Sequence, residues 1–193
     1  QRADTAMYEA KSRGRNAYAF YNSAMTVKVP RYMARDQRLR RAIANQELRL
    51  YYQPQISAAT GLCTAVEALI RWDHPELGLL DAPEIIPAAE ESGLILDIGR
   101  WVLHEACYQA RNWREAGLPP IRVAVNASPP QMENGKLAAD VEAALRASGL
   151  DPRQLEVEIT EGSLQTESVA VATLARIRAL GVSVAIDDFG TGY

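Results

Sequence analysis

Five oxygen-bearing side chains fall at or near the ends of apolar, strand-like runs: Glu67, Asn126, Glu158 and the adjacent pair Asp187 and Asp188. Four carboxylates and one amide brought together repel one another unless cations neutralise them. All-oxygen donors suit hard ions such as Mg²⁺ or Mn²⁺. Two such ions about 3.5–4 Å apart can activate a water and stabilise the leaving oxygen of a phosphodiester. Taken one at a time, each acid serves equally well as a surface charge or a helix cap. The chemistry therefore depends on what brings them together.

From residue 48 onward the pattern alternates between strands and helices. Residues 49–53, 63–72, 123–126, 155–160 and 182–187 read as five strands, the first ended by Pro54. Helical periodicity fills 83–92, 96–116, 136–148 and 163–180, with Gly117, Gly149 and Gly181 as stops. Such alternation implies parallel strands joined by crossover helices. In a parallel α/β barrel the C-terminal strand ends carry the active site. Parity supports this placement. Leu155, Val157 and Ile159 share one face of their strand, and Glu156, Glu158 and Thr160 the other. Glu67, Leu69 and Arg71 likewise share a face, opposite Ala68, Ile70 and Trp72. Asp187 and Asp188 are neighbours and serve one site only if the strand ends there, which Gly190 and Gly192 permit.

Upstream, residues 3–13 read as a helix stopped at Gly14, and 17–21 as a short strand carrying Tyr18 and Phe20. That stretch is too short to bury a core by itself. A helix from Pro30 to about Gln46 carries Arg31, Arg35, Arg38, Arg40 and Arg41. It reads as a solvated connector, with an anionic partner as the alternative.

The bulk properties exclude several classes. The chain has 193 residues, 48% hydrophobic and 23% charged, the balance of an ordinary globular protein. A net charge of -3 argues against a general nucleic-acid binder, which needs a basic face. Cys63 and Cys107 lie far apart, outside any C-x-x-C pair, and fit reduced thiols in the cytoplasm. No apolar run reaches the roughly 18 residues of a membrane span, and no signal-peptide pattern follows Gln1.

The residues that carry the chemistry also carry a resemblance. Glu67-Ala68-Leu69-Ile70-Arg71-Trp72 followed by His74-Pro75 resembles the signature of the EAL family of cyclic-di-GMP phosphodiesterases. Tyr52-Gln53-Pro54-Gln55, Ile86-Pro87 with Ala89-Glu90 and Gly93-Leu94-Ile95, Val125-Asn126-Ala127-Ser128, Glu158-Ile159-Thr160-Glu161 and the run from Asp187 to Tyr193 resemble further family blocks in order. The resemblance runs from about residue 40 to the end. It implies a TIM-like (β/α) barrel whose first strand is antiparallel. Two Mg²⁺ or Mn²⁺ ions would be held by Glu67, Asn126, Glu158, Asp187 and Asp188. Arg71 would contact a substrate phosphate, where a guanidinium fork fits well, and Gln53 would contact the substrate. The implied reaction is hydrolysis of cyclic-di-GMP to pGpG, in a domain that often pairs as a homodimer.

Ala3-Asp4-x-Ala6-Met7-Tyr8-x-Ala10-Lys11 and Gly14-Arg15-Asn16 resemble the last helix and strand of a GGDEF diguanylate cyclase domain. The expected organisation is therefore a GGDEF remnant over 1–23, a linker helix over 24–46 and the first part of an EAL domain over 47–193. Further GGDEF and sensory segments would lie upstream. Departures from the family pattern are Ile85 where Phe is usual, Ala127 where Leu is common, and Pro129-Pro130 after the asparagine block. The family's later lysine, later glutamate and last three strands have no counterpart before Tyr193. The expectation is an incomplete barrel of five strands, open at 182–186, with little hydrolytic activity alone. The alternative is a non-catalytic module that binds cyclic-di-GMP or another protein.

Overall fold

The computed structural model describes residues 36–160 and 167–187, together with Tyr18 and Phe20. Compact packing divides the chain into two units, residues 1–49 with 71–94 and residues 50–70 with 95–193. The helix–strand segment read near the N-terminus and most of the linker helix lie outside the described residues. Tyr18 and Phe20 are exposed, lie in no strand, and pack edge to face at 5.7 Å.

In the first unit, helix α1 covers residues 36–44. Leu39 and Ala42, three apart, are its buried stripe, while Arg38, Arg40 and Arg41 face outward. Strand β2 (Cys63–His74) ends in this unit and pairs antiparallel with β3 (Gly78–Asp81), Arg71 opposite Asp81 and His74 opposite Gly78. Helix α2 (Ala82–Ser92) follows at once. Glu84 accepts the Asp81 backbone N–H at 3.1 Å, and Pro83 occupies a first-turn position where no N–H is needed. Gly93, at φ 77°, ends α2 in the left-handed region.

The second unit holds most of the sheet. Strand β1 (Leu48–Ile56) runs through Pro54, three residues beyond the end read from sequence. Among the described residues β1 is an edge strand with β2 as its one neighbour, a position where proline is tolerated. Residues 57–62 join the two, closed by the Ser57 N–H to Leu62 carbonyl bond. Parallel neighbours need a crossover of a dozen or more residues, so this connection makes β1 and β2 antiparallel.

Then come α3 (Ile95–Glu115), β4 (Arg122–Ala127), α4 (Pro129–Glu133), α5 (Leu137–Ser148), a 3-10 turn (Pro152–Gln154), β5 (Leu155–Thr160), α6 (Glu167–Ala179) and β6 (Ser183–Asp187). The strand order is β1-β2-β4-β5-β6, and β2, β4, β5 and β6 are mutually parallel. From residue 48 onward six strands are described against the five expected, the extra one being β3. The core lies between the strand residues Val123, Val125, Leu155, Val157 and Ile159 and the helix residues Ile98, Leu103, Val141 and Ile177.

Helix α4 was also missing from the sequence reading. Ser128 caps it, its backbone N–H and Oγ both donating to Gln131 Oε1 at 3.0 and 3.1 Å, and the two prolines fill its first turn. Gln131 sits buried against Gly99 of α3, so close that a Cβ there would lie 2.0 Å from its Nε2. Glycine in mid-helix costs about 1 kcal/mol against alanine; here it makes room for the cap two residues past Asn126.

Candidate functional site

The register of the parallel strands sets the positions of the acids. Glu67 on β2 stands opposite Ala124 of β4, two residues before Asn126. Asn126 stands opposite Glu158 of β5, and Asp187 of β6 opposite Thr160, two residues past Glu158. The four therefore climb by four residues over three strand pairings. A coiled parallel sheet of this kind staggers by about one residue per strand, so such a climb keeps side chains near one level at the C-terminal ends. All four belong to the second unit.

Contacts follow. Asn126 Nδ2 donates to Glu67 Oε1 at 2.6 Å. Glu158 is buried, and burial pushes its carboxyl up to about 7, with the negative charges of Glu67, Asp187 and Glu156 pushing the same way. A hydrogen bond from Gln55 opposes the rise. The oxygen donors available to a cation are the carboxylates of Glu67, Glu158 and Asp187 and the Asn126 amide. Among the described residues, no three His, Cys, Asp or Glu side chains form a ready-made metal-binding group. Asp188 lies outside the described residues.

The remaining residues singled out in the sequence are placed as follows. Gln53 is exposed on β1. Arg71 belongs to the first unit, where its Nε pairs with Asp81 Oδ1 at 2.8 Å. Two residues have contacts here that the sequence assigned no role. Gln55 stands in the Tyr52-Gln53-Pro54-Gln55 block and shares the face of Gln53 by parity. Asp81 has no signal beyond the hairpin register that sets it opposite Arg71.

An α/β, parallel-rich sheet with acids gathered at the C-terminal strand ends defines a TIM-barrel-like protein with an acidic face. The EAL domain family model matches residues 36–193, and the chain belongs to the EAL family. It is 42% identical over 192 residues, 99% of this chain, to the bifunctional diguanylate cyclase/cyclic di-GMP phosphodiesterase MucR of Pseudomonas aeruginosa, covering 28% of that protein. It is 38% identical, again over 99% of this chain, to the cyclic di-GMP phosphodiesterase PdeR of Escherichia coli, covering 29% of it. The chain thus spans less than a third of either relative. Among solved structures, the PaMucR phosphodiesterase in complex with c-di-GMP superposes with a TM-score of 0.79 at 40% identity, covering 83% of this chain and 65% of that one. The EAL enzyme Bd1971, in its cAMP- and cyclic-di-GMP-bound form, gives 0.79 at 26% identity, covering 86% and 46%. Among the described residues, no helix is long and apolar enough to cross a membrane.

Proposed function

We propose that this chain carries the cation- and substrate-holding part of a cyclic-di-GMP phosphodiesterase, cleaving one phosphodiester with water to give pGpG. The observation that carries the reading is the strand-end cluster of Glu67, Asn126, Glu158 and Asp187. Burial lifts the Glu158 carboxyl to about 7, and the negative charges of Glu67, Asp187 and Glu156 push the same way. Hard divalent ions match an all-oxygen donor set that lacks positive charge. Glu67, Asn126, Glu158, Asp187 and Asp188 would hold two of them, Mg²⁺ or Mn²⁺. When bound, the ions supply an activated water and charge stabilisation at the leaving oxygen.

The chain's own residues do the positioning. Asn126 holds Glu67 by its 2.6 Å hydrogen bond, and Gln55 orients Glu158. Arg71 takes a phosphate oxygen, its guanidinium plane set by Asp81. Gln53 contacts the substrate from β1. Residues 1–23 form the end of a GGDEF domain, further GGDEF and sensory segments precede them, the domain pairs as a homodimer, and the site works in the cytoplasm. The chain matches 65% of the length of the PaMucR phosphodiesterase structure, and these 193 residues alone turn over slowly.

The test is chromatographic measurement of pGpG release with Mn²⁺, beside calorimetric titration with cyclic-di-GMP and with the MucR phosphodiesterase assayed in parallel. We expect cyclic-di-GMP binding, abolished by Glu67→Ala, with turnover at least 10²-fold below MucR, since losing even one positioned catalytic contact costs about 10²–10³. Turnover equal to MucR would refute the low activity alone. Neither binding nor turnover would refute the whole reading.

A further inference from the structure

The first unit contains a cavity of about 240 Å³ lined wholly by its own residues. A water takes about 30 Å³ of liquid, so the space suits a ligand of about eight heavy atoms. Arg38 and Arg41, three apart on α1, stand side by side along it. Two carboxylates come from other segments, Glu47 just past α1 and Glu76 in the turn between β2 and β3. Among the described residues, no ion pair joins any of these four charges, although all line one space.

The setting is rigid on the carboxylate side. Glu47 is held through both oxygens, by Asn45 Nδ2 and by the Trp72 indole N–H, each at 3.0 Å. Those two hydrogen bonds keep its carboxyl below the usual range, so it stays charged. The buried rings of Trp72 and His74 pack at 4.7 Å along the cavity. His74 Nδ1 accepts the backbone N–H groups of Glu76 and Leu77 at 3.1 and 3.2 Å. That fixes the turn carrying Glu76 and leaves the ring proton on Nε2.

We propose that this cavity binds a small zwitterion of amino-acid size, its carboxylate on Arg38 and Arg41 and its ammonium on Glu76 and Glu47. The lining charges sum to zero, two of each sign. A simple anion gains from the guanidiniums what it loses to the carboxylates, and a simple cation the reverse. A zwitterion meets both, in a site where the Glu47 carboxylate is already held before it arrives. The proposal is independent of the phosphodiesterase reading.

The test is calorimetric titration of the protein with each common amino acid, with acetate and methylammonium as half-ligands. At least one amino acid should bind saturably. Its Kd should rise roughly ten- to hundredfold in Arg41→Ala and in Glu76→Gln, the worth of a charged hydrogen bond. Both positions are exposed, and unchanged melting temperatures of the unliganded variants will show that the fold is retained. Failure of every amino acid to bind, or binding that survives both substitutions, would overturn the proposal. Acetate binding as tightly as the amino acid, with Glu76→Gln without effect, would make this an anion site and overturn it equally.

Discussion

Replacing Glu158 by Gln should make the cation-free protein more stable at neutral pH, although it alters a buried residue of the proposed site. The Glu158 carboxyl titrates at about 7 in the folded chain against 4.5 ordinarily. Between those values the native state holds a proton that the unfolded state has released. Stability therefore falls as pH rises from about 4.5 to about 7 and is level above that. Each pKa unit corresponds to about 1.36 kcal/mol, which sets a ceiling of about 3 kcal/mol. Burial is the main cause and the charges of Glu67, Asp187 and Glu156 add to it; Asn126 and Asp187 beside it are exposed, so water relieves part of both and about 1–2 kcal/mol is the expected effect. Gln keeps the shape and removes the charge. In EDTA, Glu158→Gln should exceed the parent at pH 8 by about 1–2 kcal/mol, roughly 2–8 °C in melting temperature for a chain of this size. The two should converge by pH 5. Millimolar Mg²⁺ should raise the parent's melting temperature at pH 8 more than the variant's. Thermal unfolding at pH 5, 6, 7 and 8, with and without Mg²⁺, measures all of this. A variant less stable than the parent at pH 8, or one that keeps the parent's pH slope, would refute the reasoning.

Other substitutions probe the supports. Gly99→Ala should cost about 1–2 kcal/mol by urea unfolding, because its Cβ would lie 2.0 Å from Gln131 Nε2 and evict a buried cap; in a Gln131→Ala background, where the cap is already gone, the same substitution should cost little. Trp72→Phe should cost about 2–3 kcal/mol, since Glu47 Oε2 loses its indole donor and a buried ring shrinks. Thiol labelling should be strictly unequal: exposed Cys63 reacts in the native protein, whereas Cys107, buried and with its thiol pushed up to about 12, reacts only on unfolding.

Strands with a clean period of two were legible in the sequence. The strand read at 155–160 is β5 residue for residue, its apolar side buried and Glu158 on the other face. The main helices came within a residue or two where Gly93, Gly117 and Gly149 stop them. What escaped was short or depended on neighbours. Strand β3 has only four residues, with Leu79 exposed and Leu80 half-buried, and no periodicity can show in so few. Helix α4 opens on Pro129-Pro130, which read as loop until its cap by Gln131 is seen. Pro54 read as a strand end because nothing local says that β1 lies at the edge of the described sheet. At the site, the acids announced themselves by position. Gln55 and Asp81 did not, because their roles come from contacts across the fold.

The central claim is that the strand-end oxygens form a divalent-cation site that captures cyclic-di-GMP. Titration of the protein with cyclic-di-GMP in Mn²⁺ and again in EDTA tests it most directly. Binding should be saturable in Mn²⁺ and weaken at least tenfold in EDTA, and Asn126→Ala, which frees Glu67 from its 2.6 Å hydrogen bond, should weaken the Mn²⁺-dependent part alone. Binding of equal strength in Mn²⁺ and EDTA, unchanged by Asn126→Ala, would contradict it.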